Sequence, residues 1–187
     1  EREGPTIDPA PPGVTAHAAD LGVDPTRVAI GGESAGANLA AVVCLMSRDR
    51  SGPTLVHQWL DVPTTDATNA QAGFTEVPDG YLLDTDLIDD FYDHYLPDRS
   101  LRTHPYVSPL LADDLSGLPP AWIMGAEFDH LRGDAAAYAA ALRAAAVEVH
   151  HEQLPGHTHS SPDLTRLLKS SLAYERRATA ALAAAFA

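Results

Sequence analysis

Apolar and polar positions change period several times along the chain, and each change marks an element. Val14 to Leu21 consists of helix-forming residues and stops at Gly22, the residue type that best tolerates a left-handed cap, so a helix is expected to end there. After the turn Asp24-Pro25-Thr26, the run Arg27-Val28-Ala29-Ile30-Gly31-Gly32 predicts a short buried strand. Ser34 to about Met46 is Ala-rich, with Leu39, Val42, Val43 and Met46 at helical spacing. Thr54 to Leu60 and Ala121-Trp122-Ile123-Met124 are almost continuous apolar runs, as strands buried on both faces require. Between them, Leu83, Leu87, Ile88, Phe91, Tyr92 and Tyr95 mark one face of a helix that ends at Pro97, while Asp84, Asp86, Asp89, Asp90 and Asp93 give it a solvated face. Asp134 to Ala146 predicts a helix, Val147 to Leu154 alternates like a strand, and Leu164, Leu167, Leu168 and Leu172 predict a last helix from about Asp163 to Ala187. Strands alternating with helices point to an α/β fold with a mainly parallel sheet flanked by helices.

Length and composition narrow the class. The 187 residues suit one domain, with a Pro-rich tail over 1–13 and a long connection over 61–118. Twelve basic against 26 acidic residues give a formal charge of −14, which argues against nucleic acid and against an anionic membrane surface. The lone Cys44 excludes an intrachain disulfide and reads as a small buried hydrophobe, so the compartment expected is reducing. No stretch of about 18 apolar residues is present, and Glu1-Arg2-Glu3-Gly4-Pro5 lacks the order of a signal peptide. A cytoplasmic protein is expected. An N-terminus rich in proline and without Met suggests a processed or truncated end.

The chemistry begins at Gly32-Glu33-Ser34-Ala35-Gly36, a G-x-S-x-G segment between an expected strand and an expected helix. A Ser on such an elbow needs neighbours without Cβ atoms, and the N–H of Ala35 would point at a developing oxyanion. By the motif alone, a Gly-rich turn with a helix-capping serine is the other reading. A nucleophilic serine needs a base, and the base an orienting acid. Asp129 and His159 follow the third and fourth expected strands at their carboxyl ends, in the order Ser, Asp, His.

Taken together, Leu21 to Ile30, the elbow Gly32-Glu33-Ser34-Ala35-Gly36-Ala37-Asn38-Leu39-Ala40, Tyr106-Val107-Ser108-Pro109-Leu110-Leu111, Leu118-Pro119-Pro120-Ala121 and Glu127-Phe128-Asp129-His130-Leu131-Arg132 resemble the bacterial hormone-sensitive-lipase family of α/β-hydrolases, small-molecule carboxylesterases and lipases. The resemblance implies Ser34 as nucleophile, Asp129 as acid and His159 as base, with His157 as the alternative base. His159 stands three positions after Gly156, as the family's Gly-x-x-His motif requires, although Ser160 and Ser161 replace the usual Gly and Phe. It also implies a helical cap in which Phe91 and Tyr92 line an acyl pocket, small-molecule esters as substrates, and no metal or cofactor; a chain without a large apolar surface gives no sign of interfacial binding, so short acyl chains are expected. His150 and His151 alternate across a strand and complete no metal-ligand spacing. Trp59 and Trp122 are expected in the sheet core.

One part of the family pattern does not appear. The His-Gly-Gly oxyanion loop lies upstream of the nucleophile in the family, and no such segment precedes Ser34 here. The chain therefore resembles the C-terminal part of the fold. Two expectations follow: an exposed edge on the first strand, favouring a homo-oligomer or a companion N-terminal fragment, and turnover weakened on the order of 10²-fold to 10³-fold for a lost oxyanion donor. The reading opposed to an esterase is an inert or split half-enzyme that serves as an assembly subunit. Acyl transfer or amide hydrolysis on the same residues is a third.

Overall fold

The computed structural model describes residues 10–187, so most of the Pro-rich tail lies outside the described residues. Two short helices, α1 (Ala10–Ala16) and α2 (Ala18–Leu21), stand where one was expected, and Gly22 closes the second in the left-handed conformation. The sheet consists of β1 (Val28–Glu33), β2 (Leu55–Asp61), β3 (Ala121–Phe128) and β4 (Val149–Thr158). All neighbours are parallel, in the order β1-β2-β3-β4.

That order decides where the helices go. Each step moves one strand further in the same direction, so right-handed crossovers put their helices on the same face. Helices α3 (Ala35–Asp49) and α6 (Arg132–Ala144) accordingly bury Ala41, Leu45, Tyr138 and Leu142 against Leu60 and Ile123. The opposite face is left to α7 (Lys169–Ala185), where Tyr174 and Ala178 cover Trp122, Met124 and Leu154. Trp122 is buried as expected, Trp59 only half so, and Cys44 is buried and free.

The connection from β2 to β3 carries α4 (Gly73–Glu76) and α5 (Thr85–Tyr95) and builds a small core of its own, in which Ile88, Tyr92 and Leu96 pack with Val107 and Leu131. Asn38, in the first turn of α3, donates from Nδ2 to the carbonyls of Thr64 at 2.7 Å and Val107 at 2.8 Å, fixing both ends of this connection to the elbow helix.

Three expectations need correction. The last helix begins at Lys169 rather than near Asp163, because Ser160 turns left-handed and Pro162 opens a single 3₁₀ turn; Leu164, Leu167 and Leu168 are exposed. β4 begins at Val149 and runs on to Thr158. The aspartates of α5 are not simply solvated, since Arg102 pairs with Asp89 at 2.9 Å and Asp93 at 3.2 Å. No helix of the described residues is long and apolar enough to cross a membrane.

Candidate active site

Ser34 sits between β1 and α3 with φ 54° and ψ −119°, a conformation strained for a residue with a side chain. Its amide donates to the carbonyl of Asp61 at 2.8 Å, which anchors the elbow to the end of β2. Beneath it, the chain passes so close to itself that a Cβ on Gly32 would lie 2.4 Å from the carbonyl carbon of Gly36. Gly36 has open space where its own Cβ would stand, so of the two motif glycines only Gly32 is sterically required.

The ends of the other strands bring two more sequence-predicted residues to this point. Asp129 follows β3 and is 1% exposed; its Oδ1 accepts the amide of Leu131 at 2.9 Å. His159 follows β4 and is 7% exposed. His159 Nδ1 lies 2.8 Å from Asp129 Oδ2, and His159 Nε2 lies 2.9 Å from Ser34 Oγ. With the ring proton on Nδ1 donated to the carboxylate, Nε2 is left to accept the serine hydroxyl. His157, the alternative, points elsewhere: its Nδ1 meets Ser161 Oγ at 2.9 Å and its Nε2 meets Ser170 Oγ at 2.8 Å, and burial pulls its pKa down. Ser161, which departs from the expected Phe, thus fastens the turn that carries His159.

A cavity of about 550 Å³ opens above Ser34 and His159. Ala35 lines it beside the serine, and as the first residue of α3 its N–H has no carbonyl of an earlier turn to serve. Phe91 and Tyr92 both line the cavity, together with Leu83, Ile88 and Tyr95 from the same segment. Phe91 is 59% exposed at the mouth, whereas Tyr92 is buried, hydrogen-bonds the Thr64 hydroxyl and lies under the Arg102 guanidinium at 5.1 Å. Asn38, Leu39, Thr64, Val107 and Leu131 complete the wall, and none of these is legible as such in the sequence because they converge from separate elements. The walls are almost wholly apolar, which suits a hydrocarbon group better than a charged one.

Three carboxyls gather on the other side of the elbow. Asp163 is pushed up to about 6 by burial and by a hydrogen bond to Glu33. Asp61 is also raised to about 6 by burial, against the hydrogen bonds it accepts from Tyr174 and Trp59. Among the described residues, no group of three or more His, Cys, Asp or Glu is arranged to hold a metal ion. His150 instead stacks on Trp122, with centroids 3.8 Å apart.

Comparisons with known proteins agree with one another. The family described as the alpha/beta hydrolase fold matches residues 12–162. Carboxylesterase NlhH of Mycobacterium tuberculosis is 42% identical over 169 residues, which cover 89% of this chain and 53% of that protein. Carboxylic ester hydrolase LipN of the same organism is 44% identical over 174 residues, covering 90% of this chain and 46% of that protein. Among solved structures, esterase rPPE in complex with (S)-Ac-CPA superposes with a TM-score of 0.91 at 36% identity, covering 95% of this chain and 57% of that one. The carboxylesterase EstE1, from a metagenomic library, gives 0.90 at 31%, covering 95% and 61%. The chain spans about half the length of the curated relatives it matches.

Proposed function

Because the chain belongs to the α/β-hydrolase family, we propose that it is a serine carboxylic-ester hydrolase acting on small esters of short acyl chains. The observation that carries this reading is the unbroken line of contacts from Asp129 through His159 to Ser34 at the floor of an apolar cavity. Ser34 Oγ attacks the ester carbonyl while His159 Nε2 takes its proton, and Asp129 holds the imidazole and balances the charge it gains. The oxyanion of the tetrahedral intermediate forms beside the N–H of Ala35. On collapse, His159 returns the proton to the departing alcohol, leaving an acyl group on Ser34. Water then repeats the sequence and frees the acid. The acyl chain lies along Ile88, Phe91 and Tyr92, and this chemistry calls for neither metal nor cofactor. The lone buried Cys44 suits a reducing compartment such as the cytoplasm.

Hydrolysis of p-nitrophenyl butyrate tests the reading. Ser34→Ala is expected to lower turnover on the order of 10⁴-fold or more, and unchanged hydrolysis in that variant rejects it. A second reading rests on β1, which lies at the sheet edge with β2 as its one strand partner among the described residues. On that reading the chain is a subunit that pairs β1 with a strand of a second copy or a companion fragment. Sedimentation alone and with an upstream fragment separates the two: activity gained with the fragment marks a split hydrolase, and an inert stable dimer marks an assembly subunit.

A further inference from the structure

The residues on either side of Asp129 are held by one loop. Tyr81 stacks on Phe128 with centroids 4.8 Å apart and planes at 21°. Asp79, two residues earlier in the same loop, meets His130 Nε2 with Oδ1 at 3.1 Å. His130 is 2% exposed and is enclosed further by α4: its Nδ1 faces the carbonyl of Gly73 at 3.3 Å, and Phe74 stacks on its ring at 5.9 Å. Both ring nitrogens face oxygen atoms, one on the loop and one on α4, so the ring is held from two sides. Next along the turn, Arg132 pairs with Glu76 at 2.6 Å. The fit is close, since a Cβ on Gly73 would stand 2.0 Å from the carbonyl oxygen of His130.

The same loop leads into the wall of the cavity. Asp79 Oδ1 also accepts the amide of Thr85 at 3.1 Å, the first residue of α5, which carries Ile88, Phe91, Tyr92 and Tyr95 into the cavity. One carboxylate oxygen therefore joins the start of the cavity wall to the residue after Asp129, and one aromatic stack joins the loop to the residue before it.

We propose that Asp79 and Tyr81 are positioning residues that couple α5, and with it the filling of the cavity, to the placement of Asp129 against His159. The proposal rests on the esterase reading for its catalytic consequence. A group that presses on α5 is transmitted through Thr85 and Asp79 to His130 and through Tyr81 to Phe128, so an acyl chain long enough to touch α5 tightens the Asp129 contact on which proton transfer depends. An acetyl group, too small to reach α5, leaves that contact as the empty protein has it.

The test uses the whole protein and a variant carrying Asp79→Ala with Tyr81→Leu, both at partly exposed side chains that the sheet core does not need. In the unsubstituted protein, the far-downfield proton resonance of His159 Nδ1–H is expected to sharpen and shift when hexanamide, an unreactive cavity-filling amide, is added. In the variant that response is expected to disappear. For p-nitrophenyl hexanoate, kcat should fall about 10-fold to 100-fold with KM nearly unchanged, and for the acetate the fall should be smaller. A variant whose resonance responds to hexanamide as the unsubstituted protein does, or whose kcat falls equally for both esters, overturns the coupling. If Ser34→Ala left hydrolysis intact, the esterase reading would fail while the resonance measurement still decided the coupling.

Discussion

Gly32 and Gly36 touch across the elbow that presents Ser34, and the contact is one-sided: only Gly32 lacks room for a methyl group. Gly32→Ala must push the start of α3 away from β1, at a cost of about 2–3 kcal/mol or more. Gly36→Ala, inside the first turn of α3, is expected to raise stability by up to about 1 kcal/mol through helix propensity. Urea midpoints of the two variants check the contrast, and equal destabilisation would contradict the geometry.

Asp134 accepts the amides of Thr65 at 2.7 Å and Asp66 at 2.8 Å, yet burial pushes its carboxyl up to about 7, with the charges of Asp66 and Asp129 adding to the shift. The folded state therefore holds a proton that the unfolded chain releases near pH 3.8. Its stabilising contribution is complete below about pH 4 and is lost as pH rises through about 7. Asp134→Asn is expected to flatten the melting temperature over that window and to raise it at pH 8, which thermal scans across pH would read directly.

Phe91 and Tyr92 are neighbours on α5 but should answer differently to substitution. Phe91→Ala widens the cavity mouth with little effect on stability, and kcat/KM across p-nitrophenyl esters is expected to move toward longer acyl chains. Tyr92→Phe removes the partner of the half-buried Thr64 hydroxyl and is expected to cost about 1 kcal/mol while leaving the chain-length preference in place. An identical ester profile for Phe91→Ala and the unsubstituted protein would remove Phe91 from the acyl site.

Ser160 occupies the left-handed region with φ 59°, where the family resemblance anticipates Gly. Ser160→Gly relieves that strain and is expected to stabilise the protein by up to about 1 kcal/mol. A calorimetric melting temperature that falls instead would mean that Ser160 holds the turn by more than its backbone.

What could be read before the structure depended on whether the signal was local. The elbow was legible because a strand, two glycines and a helix lie next to one another, and Asp129 and His159 because each follows its own strand. Leu164, Leu167 and Leu168 misled, since their spacing imitates a helix while Pro162 and the turn at Ser160 delay its start to Lys169. Asp89 and Asp93 look solvated in the sequence because Arg102 reaches them only after the chain has turned past Pro97. The contacts of His130 give no signal at all. Its partners lie in a loop some 50 residues earlier, and neither periodicity nor a motif connects them.

The walls of the cavity and the three residues at its floor have different origins in the chain. Five of the lining residues belong to the stretch from Leu83 to Tyr95, which hangs between two strands whose pairing it does not enter. Ser34, Asp129 and His159 instead stand on turns fixed by the sheet. On the esterase reading, the stretch can therefore be lengthened, shortened or exchanged to change which substrates fit while Ser34, Asp129 and His159 keep their places, provided that what replaces it still supplies a grip on Phe128 and His130.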